Sequence, residues 1–374
     1  MNSNKKVLGL IFSNLHDENI SDLTENRTMG SVLFGARYRL IDFPLSSMVN
    51  SGIEEVGVIT KSNYQSLLDH LGNGREWDLS RKNGGLHLLP PFSHSSSGMY
   101  RGRLEALYGV WDFIKTSEAE YVLFSDCDVI ANMDYAEIIE EHIQSKADIT
   151  CVYGKENVSA DMCQGTDSFG INADGRIVDV LIKPHITGET NVSLNTYVMK
   201  KDFLKMIVDD SMSRSDKDFE RSVLQARCAD YLIMGYCFDG YFSRICSKQS
   251  YMRANFDLLK SENRHRLFPD GRPIYTKIRD NPPAKYAIGA KVKNSLIGDG
   301  CIVDGEVTDS ILFRGAKVAA GAVVKNCIIM QDTIIEKGST LQNVITDKNV
   351  KITAGHLLTG SEKYPLFIGK GAEI

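Results

Sequence analysis

The chain predicts an α/β domain built on a mixed, mostly parallel sheet, followed by a parallel β-helix. Three observations carry that expectation. Short apolar runs alternate with helical segments over residues 1–260; residues 261–285 are polar and carry Pro269, Pro273, Pro282 and Pro283; beyond them one four-residue phrase recurs. Alternating apolar strands and helices point to a sheet covered on both faces. A fixed repeat without hairpin turns points to a solenoid.

Val7-Leu8-Gly9-Leu10-Ile11-Phe12 is wholly apolar, as a buried strand requires. Glu55 to Thr60 supplies a second strand, followed by a helix through Ser66-Leu67-Leu68. Gly102 to Ile114 is amphipathic, with Leu104, Leu107, Val110 and Phe113-Ile114 on one face. Tyr121 to Phe124 forms another strand and ends at Ser125-Asp126-Cys127-Asp128; Ile149 to Tyr153 is a strand after a further helix. Asp174-Gly175 signals a hairpin, and Ser193 to Met199 resumes the sheet. Ligands bind at the carboxyl ends of such strands. The loop at residues 13–19 and the Asp126/Asp128 pair both fall there.

The repeated phrases are Asn294-Ser295-Leu296-Ile297, Asp309-Ser310-Ile311-Leu312, Asn326-Cys327-Ile328-Ile329 and Gln342-Asn343-Val344-Ile345, with starts 15, 17 and 16 residues apart. Ile302, Val307, Val318, Val323 and Ile334 recur between them, and glycines at 298, 300, 305, 315, 321 and 338 mark corners. An antiparallel sandwich would need hairpin signals that are missing. Open solenoid ends favour oligomerisation.

A hydrophobic content of 43% and a charged content of 24% fit a soluble domain, and a net charge of -5 argues against nucleic-acid or membrane-surface binding. No apolar run reaches membrane-spanning length, and the start Met-Asn-Ser-Asn-Lys-Lys leads into a strand, not a secretory signal. A cytoplasmic location is expected. None of the eight cysteines (Cys127, Cys151, Cys163, Cys228, Cys237, Cys246, Cys301, Cys327) forms a Cys-x-x-Cys pair, so reduced thiols are expected.

Specific phrases carry a resemblance. They are Phe34-Gly35-Ala36-Arg37-Tyr38-Arg39-Leu40-Ile41-Asp42-Phe43-Pro44-Leu45-Ser46, Val49-Asn50-Ser51-Gly52-Ile53, Trp77-Asp78-Leu79, Asn83-Gly84-Gly85, Asn132-Met133-Asp134-Tyr135 and Tyr251 to Leu258. Over nearly its whole length the chain resembles the glucose-1-phosphate adenylyltransferases. That resemblance implies a Rossmann-like nucleotidyltransferase domain at 1–260, a linker at 261–285 and a left-handed β-helix at 286–374.

The resemblance also exposes losses. The family loop Gly-Gly-x-Gly-Thr-Arg-Leu falls on Asn14 to Ile20, and Arg-Ala-Lys-Pro-Ala falls on Arg27 to Ser31. The glycines become Asn14, Leu15 and Asp17; the arginine becomes Asn19; the lysine becomes Met29. Glycines let backbone N–H groups approach phosphates, and the basic side chains neutralise them. Asp17 and Glu18 add like charge instead; as a purely structural feature the stretch would be a solvated acidic loop. Of the family's two magnesium-binding aspartates, Asp128 is kept, whereas Arg244 takes the second position. A guanidinium cannot ligate a metal, so Arg244 is expected either to pair with Asp128 or to sit on a solvated edge. No metal or cofactor is expected unless catalysis survives, in which case Mg²⁺ is needed.

On the sugar-phosphate side, Lys183 survives within Ile182-Lys183-Pro184, and Ser193 survives within Ser193-Leu194-Asn195. These are candidates for residual sugar-phosphate binding or are simply scaffold. The family's Gly-Thr-Ala motif becomes Gly102-Arg103-Leu104, with Arg103 and Leu104 expected to intrude on the base or ribose pocket.

Two functions follow from the resemblance. One is a non-catalytic or weakly catalytic regulatory subunit of glycogen biosynthesis, assembling with a catalytic glucose-1-phosphate adenylyltransferase subunit as a heterotetramer. Arg27, Arg37 and Arg39 are then candidates to bind an anionic sugar-phosphate effector, or serve as structural ion-pair residues. The alternative is an active enzyme making ADP-glucose from ATP and glucose-1-phosphate.

Overall fold

A computed structural model describes residues 7–91, 100–158 and 166–374. The N-terminal hexapeptide and Cys163, both used in the sequence reading, lie outside the described residues. Apart from a short antiparallel pair, Leu33–Phe34 and Tyr38–Arg39, the strands of the first domain are β1 (Val7–Phe12), β2 (Glu55–Ile59), β3 (Gly85–Leu89), β4 (Tyr121–Asp126), β5 (Val129–Ala131), β6 (Ile149–Val158), β7 (Ser168–Ile171), β8 (Ile177–Leu181), β9 (Gly188–Lys200), β10 (Ile233–Cys237) and β11 (Phe242–Arg244). Nine of them form one sheet in the order β8-β7-β9-β4-β1-β2-β3, with β6 on β9 and β10 on β6; β5 and β11 pair separately. β1 is parallel to both β2 and β4, and β9 runs antiparallel to β4 and β6. The sheet is therefore mixed, as expected.

β1 explains its own sequence. Successive side chains point to opposite faces, and both faces are covered. Val7 and Ile11 join the core that contains Phe43, Leu45 and Met48 of helix α1 (Asp42–Asn50). Leu8, Leu10 and Phe12 join the core that contains Leu104 and Leu107 of helix α2 (Arg103–Gly109). The amphipathic stretch 102–114 is broken into α2 and a second helix, Trp111–Thr116. The polar stretch from residue 261 opens with another helix, Ser261–Leu267, before its irregular part.

The second domain holds three five-stranded sheets of parallel pairs, the arrangement of a left-handed β-helix. Leu296, Ile311, Ile328 and Ile345 stack in register. The fourth phrase thus begins at Asn343, one residue later than the sequence reading placed it. Asn294, Asp309, Asn326 and Asn343 all have φ between +44° and +52°. Asn and Asp tolerate this left-handed corner better than other non-glycine residues, which is why they open each phrase.

One solenoid sheet docks on the first domain. Ile311, Ile328 and Ile345, with Phe313 and Met330, belong to the same core as Phe34 and Tyr251. Leu312 and Ile329 point the other way, into the solenoid interior. Among the described residues no helix is long and apolar enough to cross a membrane.

Candidate functional site

A crevice of about 220 Å³ opens at the carboxyl ends of the central strands. Four segments build it. β4 ends at Asp126 and delivers Asp128 just beyond, both buried. β11 pairs antiparallel with β5, setting Arg244 opposite Val129 and hence beside Asp128. The Arg244 Nη2 donates to Asp128 Oδ2 at 3.1 Å. β9 shifts register between Ser193 and Thr196, and Asn195 adopts φ +48°. That kink aims the Asn195 amide at both Asp128 oxygens, 3.2 and 3.0 Å away.

Arg103 opens α2 and is fully enclosed. Its Nη1 and Nη2 donate to the Asp126 oxygens at 2.7 and 3.0 Å, and its Nε and Nη2 donate to Glu220 Oε1 at 3.1 and 2.9 Å. The guanidinium also lies 4.6, 5.4 and 5.4 Å from the ring centres of Phe12, Phe124 and Tyr197, a desolvated cation–π setting. Gly102 makes this entry possible: a Cβ there would come within 2.2 Å of the Lys217 carbonyl oxygen.

His16 completes the cluster from the loop after β1. Its Nε2 lies 2.7 Å from Asp126 Oδ2 and 4.0 Å from Asp128 Oδ2. Burial opposes protonation of His16, but Asp128 and Asp126 outweigh it and raise its pKa above the ordinary imidazole value. Burial likewise opposes ionisation of Asp126, yet Arg103 and His16 hold it at about 2. Two guanidiniums and the His16 imidazole thus face the carboxylates of Asp126, Asp128 and Glu220.

The loop itself is not a solvated acidic excursion. Asn14 Nδ2 donates to Asp17 Oδ2 at 2.7 Å, and the Met29 backbone N–H donates to Asp17 Oδ1 at 2.8 Å. Asn14 Oδ1 accepts from the Lys61 N–H at 3.0 Å. Side chains of the loop occupy these backbone donors, which would otherwise be free to meet an anion. Burial, only partly offset by those hydrogen bonds, pushes the Asp17 pKa to about 6.

Lys183 lines the crevice with Leu15, Asn19, Arg101 and Lys217. Ser193 does not: it is buried, and its hydroxyl meets Asn195 and Tyr197. Its backbone N–H donates to the Asp167 carbonyl at 2.8 Å and the Lys183 N–H donates to Asp167 Oδ1 at 3.0 Å, so Asp167 holds the two near one another while only Lys183 lines the crevice. Cys246, also on the crevice wall, is disulfide-bonded, which corrects the expectation of reduced thiols. Cys127, Cys151, Cys228, Cys237, Cys301 and Cys327 are free.

A second feature lies at the seam between domains. Arg37 and Arg39 line a narrow cavity with Lys277, Arg279 and Arg314. Arg27 stands apart, buried against Asp347 of the solenoid at 2.5 Å. Burial, and repulsion by Arg279 and Arg27, lower Arg39 to about 10 although Asp42 opposes this. Burial and repulsion by Arg39, Arg27 and Arg279 lower Lys348 to about 7.

Residues 18–261 match the family model described as nucleotidyl transferase, and residues 282–363 match that described as GlmU-like, C-terminal hexapeptide. The chain is 35% identical over 341 residues to a glucose-1-phosphate adenylyltransferase of Clostridium perfringens (strain 13 / Type A), covering 89% of this chain and 86% of that protein. The chain belongs to the glucose-1-phosphate adenylyltransferase family. It is also 33% identical over 369 residues to the glycogen biosynthesis protein GlgD of Bacillus subtilis (strain 168), covering 98% of this chain and 97% of that protein. A glucose-1-phosphate adenylyltransferase of Bacillus mycoides (strain KBAB4) is 32% identical over 367 residues, 96% of each chain.

The crevice of this chain does not fit magnesium. His16, Asp126 and Asp128 offer ligand atoms within 4.8 Å of one another. Mg²⁺ demands near-octahedral oxygen coordination. Here both aspartates are already neutralised by guanidiniums that cannot move out without leaving buried charge behind. Sequence reasoning anticipated the Arg244–Asp128 contact but missed the Arg103–Asp126–Glu220 network and His16. Arg103 was assigned to the base or ribose pocket; the signal that it turns inward was the aromatic content of β1 and β4, Phe12 and Phe124.

Proposed function

We propose that this chain is a non-catalytic or weakly catalytic partner subunit in glycogen biosynthesis, assembling with a catalytic homologue and modulating it. The observation that carries this reading is the pair of buried guanidiniums, Arg103 on Asp126 and Arg244 on Asp128. Nucleotidyl transfer needs fixed positive charge aimed at a polyphosphate. In this crevice the fixed positive charge is aimed at the protein's own carboxylates, and Asp17 holds a loop N–H. Restoring metal chemistry would require displacing both arginines at once.

The basic seam supports a regulatory role within the same reading. Arg37, Arg39, Lys277, Arg279 and Arg314 line a cavity whose wall carries no carboxylate, and an anionic sugar-phosphate effector would supply negative charge there. Arg27 would act through its Asp347 pair rather than as a direct ligand.

Pyrophosphate release from ATP and glucose-1-phosphate, measured for the chain alone and mixed with a catalytic homologue, tests the proposal. The expected outcome is no turnover alone and a changed rate or effector response in the mixture. Turnover alone at an ordinary enzyme rate, about 10 s⁻¹, would favour the active-enzyme alternative.

A further inference from the structure

The crevice shares a wall with a second hollow. The segment 216–222 faces both: Lys217, Asp218 and Glu220 line the crevice, whereas Asp216, Arg221 and Ser222 line a hollow of about 250 Å³. The helix Lys201–Arg214 adds Asp210, Ser211 and Arg214 to that hollow. Ser215, left-handed at φ +63°, ends the helix and turns the chain into the shared segment. Glu220–Gln225 then winds as a π-helix, and the Ala226 N–H donates to the Arg221 carbonyl at 3.0 Å. Such wide turns are rare and frequently fall at functional sites. Here Glu220 reaches Arg103 at the crevice, while the next two residues, Arg221 and Ser222, face the hollow.

Two of the guanidiniums at this hollow are already committed. Arg214 Nε donates to Asp210 Oδ1 at 3.0 Å, and Arg227 donates to Asp210 Oδ2 at 3.2 Å and to Asp230 Oδ2 at 3.3 Å. The third, Arg221, has no side-chain partner among the described residues; only its backbone N–H is used, donating to Asp218. Ser211 is only 5% exposed, yet its hydroxyl has no hydrogen-bond partner among the described residues. A hydroxyl so enclosed calls for an acceptor. Ser222 adds a second unused hydroxyl beside Arg221. We propose that this hollow binds a small phosphomonoester. A guanidinium fork flanked by hydroxyl donors is the set that phosphate oxygens accept from. Asp210 and Asp216 would repel a polyphosphate. Asp216, which has no ion pair among the described residues, is the acceptor for a hydroxyl on the body of the ester. The site is separate from the basic seam, and the proposal holds whether or not the crevice is catalytic. A ligand there bears on the segment that holds Glu220 against Arg103, so its binding is felt at the crevice.

Hydrogen exchange of the full chain, followed peptide by peptide, tests it. Glycerol 3-phosphate at about 10 mM, enough to occupy a site of millimolar affinity, is compared with chloride at equal ionic strength. Exchange is expected to slow in peptides covering residues 210–231. The position of the protection separates this site from the seam, whose peptides hold Arg37, Arg39 and Arg279. Arg221→Ala, at an exposed position, should keep the circular-dichroism spectrum and weaken apparent affinity about tenfold. Ser211→Ala should weaken it while leaving the charge unchanged. Protection absent from residues 210–231 or confined to the seam, protection in both variants equal to that of the wild type, or orthophosphate protecting as well as the ester, overturns the proposal.

Discussion

Arg103 and Arg244 differ in how tightly they are held, and this sets what each substitution does. Arg103 bonds two acids and touches three rings. Arg103→Ala should cost about 3–5 kcal/mol, because Asp126 and Glu220 stay buried without their cation; urea unfolding would measure it. Arg244→Asp instead places a second carboxylate beside Asp128. That variant should be destabilised alone but gain thermal stability with Mn²⁺ or Mg²⁺, whereas the wild type gains none. Pyrophosphate release should stay absent in it, because Arg103 still occupies Asp126 and the loop still lacks its glycines.

Asp17 gives a pH signature of its own. Its folded pKa of about 6 lies above the ordinary value of 3.8. A raised carboxylate pKa means the folded state binds the extra proton, so the stabilising contribution is complete below about pH 4 and is lost as pH rises through 6. Unfolding free energy should therefore fall across this window by up to about 3 kcal/mol from this residue. Asp17→Asn keeps an acceptor for the Met29 N–H and should flatten the difference, as urea melts at pH 4, 5 and 6 would reveal.

At the scale of elements, pattern and corner residues were legible and long-range pairing was not. The alternation in β1 follows from having two cores to fill, and the solenoid repeat follows from stacked identical turns. The fourth phrase slipped by one residue because Gln342 and Asn343 are both polar, and only the left-handed φ requirement separates them. The β9 kink had no local signal: Ser193 and Asn195 look like ordinary strand residues until their pairing with β6 breaks register. Legibility of the site followed the same rule. The lost glycines and the Arg244–Asp128 pairing were readable, because each is one residue type at one position. The Arg103–Asp126–Glu220 network sits at positions to which the family resemblance assigns no mutual partners, so nothing in the sequence marked that pairing. The corner residues make a direct test. Asn326→Val forces a β-branched side chain into φ +50° and should cost about 1–2 kcal/mol in thermal or urea unfolding. Asn326→Gly should be close to neutral.

For the whole molecule, the seam couples the two domains through charge. Six cations crowd it: Arg37, Arg39, Lys277, Arg279, Arg314 and Lys348. The folded state bears this repulsion, so an anion that binds there should stabilise the fold by mass action. Sulfate is a suitable probe because it remains a dianion over the relevant pH range. Lys348 determines the pH dependence. Its folded pKa, about 7 against an ordinary 10.5, means that its neutral form grows as pH rises above 7 and that a bound anion draws a proton onto it. Sulfate should therefore raise the melting temperature more at pH 6 than at pH 8, and by more than chloride at equal ionic strength. Lys348→Met should abolish the difference between the two pH values while raising stability without sulfate at pH 6, where the unfolded lysine is charged and the folded one resists charging. Equal shifts from sulfate and chloride would mean that the seam only screens its charge and selects no anion, which would remove the physical basis for an effector between the domains.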